Sequence, residues 1–393
     1  MSTILKKEER RNLLKTIALA SVVVPSTFLL GDSVLKDKIL NENKFSDKML
    51  NLINTAKLTE IKDVKAFTIE NGDLPWTEDL MSIKEGEQLT FLIDGKWWFS
   101  KEHNIWVEPG LAFNFKIGKN KVTNTGSNTY STKVTNTGKI EIARSLSEFA
   151  DEYGTLATPL EAYKKSEGII DGVVIIWKGE AVDGLHELSA IGDVSNAIYS
   201  ELQRIRFIPE VPKGWKNLFL FGASGIFEQI NENTISCTTH KNVGILQKDV
   251  DIELTDDLKL DWKWMVEHLP SRIVENNLGT HDYLSIAVKF DDGQDLTYMW
   301  SSGLEHETTF RCPIPGWNLI ETHIVQRTGQ KDLGKWLDES RDITADYKKT
   351  IAGKAKKVVQ VWFIANTIFQ RGYGKCEFSN IVLKNRNKKL IVL

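Results

Sequence analysis

The chain has 393 residues, 41% hydrophobic and 26% charged, enough for two ordinary globular domains with a core each. A formal net charge of -3 and a pI of about 6.2 give no general attraction to nucleic acid or acidic lipid, so neither is an expected partner. Of the 12 tryptophans most are expected in cores, where their area is needed; an exposed indole would suit the flat face of a sugar ring.

At the start, KKEERR precedes an uncharged run from Thr16 to Leu30 that is shorter than the ~20 residues a membrane helix needs. The segment RRNLLK, Arg10 to Lys15, resembles a twin-arginine export signal, with Glu9 where Ser or Thr is usual and Leu13 where Phe is usual. Residues 1–31 are therefore expected to be an export signal or an uncleaved anchor, and the protein to be periplasmic or secreted. No small-residue cleavage pattern follows Leu30. No other membrane association is expected.

Residues 32–60 form a helical lead-in, because Phe45, Met49, Leu52, Ile53 and Ala56 fall at helical spacing. From Ile61 the apolar period changes to two: Leu89, Phe91 and Ile93, then Phe113, Phe115 and Ile117, then Ile140 and Ile142, with NGD, DGK and NTG between the runs as turn signals. Short strands punctuated in this way predict a β-sandwich over residues 61–182. Leu185, Leu188, Ile191, Val194, Ile198, Leu202 and Ile205 then predict a helix from Asp183 to Arg206, broken by Pro209 and Pro212, so 183–214 is read as a helical linker. Residues 215–393 are again strand-rich. The fold class is mainly β: two β-sandwich, jelly-roll-like domains joined by a helical connector, with short N-terminal helices.

Two stretches carry family resemblances. LPWTEDLMSIKEGEQLTFLIDGKWW, FKIG and YKKSEGIIDGVVIIW, between about Trp76 and Trp177, resemble the bacterial galactophilic lectin-I domain, which implies a small calcium-dependent sandwich. That family binds calcium and sugar through an acidic, asparagine-rich loop before its last strand. Here the matching loop is Tyr163, Lys164, Lys165, Ser166, Glu167 and Gly168, and lysine offers a hard cation no oxygen, so the resemblance implies the fold without the calcium site. LDWKWMVEHLPS, THDYLSIAVKFDDGQDLTYMWS, ETHIVQRTG, LGKWLDESRDITADY and VVQVWFIA resemble the uncharacterised bacterial family known as domain of unknown function 3047, which implies a jelly-roll-like sandwich and no particular activity.

Strand parity selects the candidate site. In YLSIAVKF, Leu284, Ile286, Val288 and Phe290 oppose Tyr283, Ser285, Ala287 and Lys289; in IETHIVQR, Thr322 and Ile324 oppose Glu321, His323, Val325 and Arg327. In VVQVWFIAN, Val359, Val361, Phe363 and Ala365 oppose Gln360, Trp362, Ile364 and Asn366. Aligned in one sheet, the mixed faces would offer Trp362, Tyr298, Gln360, His323, Glu321, Lys289, Arg327 and Asn366 to a ligand, with Gln370 and Arg371 of the loop FQRGYGKC at the rim. A ring to stack on and fixed polar groups are sugar-recognition chemistry; the alternative is a solvated face laced with cross-strand charge pairs. Trp262 and Trp264 align with Leu260 and Val266 as a core stripe. FGASG, Phe221 to Gly225, lacks the lysine of a phosphate loop and reads as a turn.

Glu321 and His323 share a face and are compatible with an acid/base pair, whereas His281 and Asp282 point to opposite sides of a strand entrance, Asp282 as a turn residue. No third metal ligand stands at a telling spacing, and Cys237, Cys312 and Cys376 match no zinc pattern, so no metal or cofactor is expected. Three cysteines leave one unpaired; buried thiols are expected, with a Cys312–Cys376 bridge the alternative. The function expected is non-catalytic binding of a glycan or other cell-envelope ligand. A glycan-acting hydrolase or lyase using Glu321 and His323 is the rival, and a structural or protein-interaction module the third reading.

Overall fold

The computed structural model describes residues 44–393 except 72, 74–75, 78–79, 103, 145–148, 150, 157–159, 161–166, 208–209, 219–224 and 315–316. The export segment, the start of the lead-in, most of the lysine-bearing loop at 163–168 and nearly all of FGASG lie outside the described residues. The chain is mainly β and divides into two compact units, the boundary falling at residues 208–209. No helix among the described residues is long and apolar enough to cross a membrane.

In the N-terminal unit, helix α1 (Phe45–Ala56) is followed by β1 (Ile61–Ile69), β2 (Met81–Ile83), β3 (Gln88–Ser100), β4 (Ile105–Val107), β5 (Phe113–Ile117), β6 (Thr123–Asn124), β7 (Thr129–Lys133), β8 (Gly138–Arg144) and β9 (Glu167–Trp177). One sheet has the order β1-β9-β3-β4 with β7 also on β3, the other β2-β8-β5-β6. Alternation sends Phe67 and Phe91 from the first sheet against Phe113 and Phe115 of the second, with ring centroids 5.0 to 5.5 Å apart. The opposite face of the first sheet is covered by helices. Phe45, Met49 and Ile53 of α1 pack on Val173, Ile175 and Trp177, as their spacing predicts. Asp171 of β9 fixes the start of α1 by accepting from the Ser46 backbone N–H at 2.8 Å and the Ser46 hydroxyl at 2.9 Å.

The stretch predicted as one helix is two, α2 (Ala181–Ile191) and α3 (Ala197–Arg206), and both contribute to the core of this unit. The break has local causes. Gly192 ends α2, Ser195 and Asn196 take positive φ of 54° and 59°, and the Asp193 carboxylate accepts from the backbone N–H groups of Val194, Ile198 and Tyr199.

In the C-terminal unit the strands are β10 (Lys216–Asn217), β11 (Phe227–Asn231), β12 (Thr234–His240), β13 (Val243–Glu253), β14 (Lys259–His268), β15 (Tyr283–Phe290), β16 (Asp295–Ser301), β17 (Thr309–Arg311), β18 (Glu321–Thr328), β19 (Leu337–Asp342), β20 (Lys357–Asn366), β21 (Tyr373–Lys384) and β22 (Lys389–Ile391), with α4 (Ile343–Thr350) after β19. A seven-stranded sheet, β10-β13-β20-β15-β16-β18-β17, faces a six-stranded sheet, β11-β12-β21-β14-β19 with β22 on β21. Between them the aromatic residues interleave: Trp264 against Trp300 at 5.5 Å, Trp262 against Tyr298 at 5.7 Å, Phe363 stacked on Phe378 at 4.2 Å. The core stripe expected of Trp262 and Trp264 is therefore real, and with Trp215 and Trp300 this core takes up four of the 12 tryptophans. Cys237 and Cys376 are register partners in this core, whereas Cys312 lies elsewhere, so a Cys312–Cys376 bridge has no counterpart; all three thiols are free and buried.

Trp264 is fully buried and its indole N–H donates to Glu339 at 3.0 Å. Trp264→Ala is expected to cost about 3–5 kcal/mol, a cavity effect added to the lost transfer energy, measurable by urea denaturation; a loss below about 1 kcal/mol would contradict this packing.

Candidate functional site

The face of the seven-stranded sheet turned away from the sandwich core gathers most of the residues that parity selected. β15 runs between β20 and β16, and β18 lies beside β16, so Trp362, Ala287, Thr297 and His323 form a row across four strands. The row is not open. Trp362 is 5% exposed, Glu321 1% and His323 0%. Leu218, Leu304, Phe310 and Trp317 pack over a second apolar cluster on this face, made by Ile245, Tyr283, Ala287, Met299, Val325, Trp362 and Ile364.

The cover has a topological cause. β16 and β18 pair in parallel, so the chain from residue 302 to 320 must cross over before β18 can begin, and it carries Leu304, Phe310 and Trp317 onto the sheet as it does so. The expected open surface is thus corrected to a buried polar layer. Two members leave it altogether. Tyr298 is the register partner of Ile286 and points with it into the core between the sheets, where its hydroxyl donates to Asp346 at 3.0 Å. Arg327 is displaced by a β-bulge, because Met299 pairs with Val325 but Trp300 with Arg327, and its guanidinium reaches Glu339 of the other sheet at 2.6 Å.

The remaining members other than His323 find partners within the unit. Trp362 Nε1 donates to Gln360 Oε1 at 2.9 Å and Gln360 Nε2 to Asp249 at 2.7 Å. Lys289 lies 5.0 Å from the Trp362 ring, 2.6 Å from the Gly293 carbonyl oxygen and 3.6 Å from Asp295, whose carboxyl burial pushes up to about 8. Asn366 donates to the His281 carbonyl at 2.9 Å. Gln370 donates to Ser271 and to the Thr280 carbonyl, and Arg371 sits in a left-handed conformation with φ of 55°. Asp282 is the anchor of that loop: it accepts from the backbone N–H groups of Phe369 and Gln370 at 3.0 and 2.8 Å, and burial raises its carboxyl to about 7.

At one corner four buried side chains converge. His281, Cys312, Glu321 and His323 each bring a ligand-type atom within 4.8 Å of the others. Glu321 and His323 project from the same side of β18, Cys312 follows β17, and its N–H donates to the Glu321 carbonyl at 3.1 Å; His281 ends a short 3-10 turn before β15. The third and fourth donors were invisible to spacing rules because they come from separate segments. His281 Nδ1 lies 2.6 Å from the Glu275 carbonyl, so the N–H sits there and Nε2 is left facing Cys312 Sγ at 3.4 Å. Glu321 Oε1 accepts from Tyr283 Oη at 3.0 Å and Thr297 Oγ1 at 3.2 Å. The His323 ring stacks on Phe310 at 4.9 Å, and Nε2 is 3.4 Å from Glu321 Oε1, yet neither ring nitrogen makes a hydrogen bond among the described residues. Burial drives His281 down to about 3 and pushes the Cys312 thiol up.

The outer face of the six-stranded sheet is open instead. β21 carries a bulge opposite β14: Asp261 pairs with Val382 but Lys263 with Ser379, and Asn380 takes φ of 52°. A groove of about 340 Å³ results, walled by Asp261, Lys263, Asp338, Ser340, Asn380 and Lys384. Ser340 donates to Asp261 at 2.7 Å, Lys384 pairs with Asp261, and Lys263 lies 3.1 Å from Asp338. Trp336, two residues before Asp338 and of the same parity, is 42% exposed.

Residues 215–382 match the model of the family described as Protein of unknown function (DUF3047). No curated protein matches the chain. Similar solved structures include the N-terminal domain of EclA, a PllA-like lectin, at 16% identity over 28% of this chain and 94% of that one, TM-score 0.22. A carbohydrate-binding module of the β-sandwich superfamily is similar at 10% identity over 83% of this chain and 100% of that one, TM-score 0.23. The xyloglucanase domain of NopAA from Sinorhizobium fredii follows at 8% identity, 40% of this chain and 84% of that one, TM-score 0.27. The family resemblance read from the sequence of the C-terminal half recurs in the family-model match.

Glu339 accepts from Arg327, Gln326 and Trp264. Arg327→Ala is expected to lower the stability of the C-terminal unit by about 1.5–3 kcal/mol, the worth of hydrogen bonds to a buried charge; a neutral result in thermal unfolding would contradict the bulge-driven placement.

Proposed function

We propose that the protein is a non-catalytic glycan-binding protein, exported from the cytoplasm, and that its ligand lies along the outer face of the six-stranded sheet. One observation carries this reading: an open groove walled by carboxylates, amines, an amide and a hydroxyl lies on a strand that is immediately preceded by the exposed Trp336. A ring that covers C–H faces and adjacent groups that donate to and accept from hydroxyls are what a polyhydroxylated ligand needs. The ion pairs of the groove are cross-strand and solvated, so sugar hydroxyls can share their donors and acceptors at small cost.

The groove carboxylates favour binding over hydrolysis. Asp261 is engaged by Lys384 and Ser340 and Asp338 by Lys263, so both groove carboxylates are already taken up in cross-strand contacts rather than standing as a free acid and nucleophile pair. Glu321 and His323, the pair that a hydrolase would use, are buried. The arginine pair and uncharged run at the start of the chain support export.

Affinity electrophoresis of the full chain through soluble polysaccharides tests this. Retardation by at least one polysaccharide is expected, with a loss of about tenfold or more in Trp336→Ala, the order that one aromatic stacking contact supplies, and unfolding unchanged within about 0.5 kcal/mol, as for a surface substitution. Release of reducing ends from the bound polysaccharide, or binding that survives in Trp336→Ala with Asp338→Ala, would contradict it.

A further inference from the structure

Independently of the glycan reading, we propose that His281, Cys312, Glu321 and His323 form a closed four-ligand site for a divalent transition-metal ion of the zinc class. The separations fit. Zinc bonds of ~2.0–2.3 Å put tetrahedral donors about 3.3–3.8 Å apart, and the approaches here are 3.4 Å for Cys312 Sγ to His281 Nε2 and 3.4 Å for His323 Nε2 to Glu321 Oε1. All the donor atoms lie within 4.8 Å of one another, so closure needs shifts of about an ångström.

The second line of support is what these side chains do without an ion. His323 is fully buried, locked between Phe310 and Tyr283, and both its nitrogens lack a hydrogen-bond partner among the described residues. An orphaned imidazole costs about 1–3 kcal/mol per unsatisfied polar atom, and a ligand role for His323 would remove that cost. His281 is oriented as metal-binding histidines are, one nitrogen held by the Glu275 carbonyl and the other free to coordinate. Glu275 is itself fixed, accepting from the Ser301 hydroxyl at 2.5 Å and the Ser302 N–H at 2.7 Å. Tyr283 and Thr297 brace Glu321 in the same way.

Charge decides the class of ion. On binding, Cys312 forms an S–metal bond and its thiol proton leaves to solvent; the thiolate and the Glu321 carboxylate then balance a dication, and the imidazoles stay neutral. A net-neutral site is what a water-free pocket tolerates. One sulfur and two nitrogens exclude calcium and magnesium, which take oxygen ligands, and favour zinc or a neighbouring transition ion. With four protein ligands and no solvent exposure the site is structural: it would pin the crossover from β16 to β18 against the sheet.

Cobalt is the probe. The full chain, stripped with a chelator, is titrated with Co²⁺ and followed by the thiolate-to-cobalt absorption band, then challenged with Zn²⁺. Saturation at about one equivalent is expected, with the band abolished in Cys312→Ser, retained in Cys237→Ser and lost when zinc displaces cobalt. If Cys312→Ser does not fold, X-ray absorption of the zinc-loaded native chain decides: one sulfur at about 2.3 Å and three lighter donors at about 2.0–2.2 Å are expected. A folded native chain that takes up neither ion, a band that persists in Cys312→Ser, or a zinc shell without sulfur would overturn the proposal.

Discussion

Strands β15 and β16 are buried at every position, so the side chains on both of their faces exchange water for protein. On the inner face this is simple, because Leu284, Ile286, Val288, Leu296 and Trp300 are apolar and pack into the sandwich core. On the other face it is not, because Lys289, Asp295, Glu321, His323 and Asn366 carry charge or hydrogen-bonding groups that burial would leave unsatisfied. The cover over that face must therefore come with a polar network beneath it, and the arrangement of the C-terminal unit follows from that requirement. The Asp249–Gln360–Trp362 chain, the Lys289–Asp295 pair and the braced Glu321 are its pieces.

The same constraint separates the two places proposed as sites in this unit. The buried corner can hold something small, permanent and charge-matched, but it offers no entry to a polymer. The bulged outer face of the opposite sheet is reached by solvent and presents an indole beside paired charges. The proposed binding and structural roles thus fall on opposite sheets of one sandwich, a division that strand alternation alone would not produce.

Period-two alternation made the core legible. It placed Leu284, Ile286, Val288, Val361, Phe363, Trp262 and Trp264 inside, and the three-and-four spacing of Phe45, Met49 and Ile53 found the α1 face. It also grouped Lys289, Glu321, His323 and Trp362 on one side of one sheet. What it lacked was the connection between strands. Parallel pairing of β16 with β18 is a long-range fact with no local signature, and it converts an expected open hollow into an interior. The Arg327 bulge is likewise a register event invisible to parity, whereas Tyr298 was misplaced although the alternation Leu296, Tyr298, Trp300 already put it with the core. His281 and Cys312 join Glu321 and His323 only through folding, and the sole hint was a histidine at the entrance of an apolar strand. The break at Gly192 and Asp193 was readable as a glycine followed by a capping residue.

Histidine footprinting tests the buried layer most directly. Treating the folded chain with diethylpyrocarbonate and locating the adducts by mass spectrometry compares exposed histidines with sealed ones in one experiment. His186, His240, His268 and His306, all exposed, are expected to react readily, while His281 and His323 stay unmodified until denaturant unfolds the C-terminal unit. Modification of His323 in the native chain at a rate like that of His306 would mean that the crossover does not seal the sheet, and the account of that face would fail.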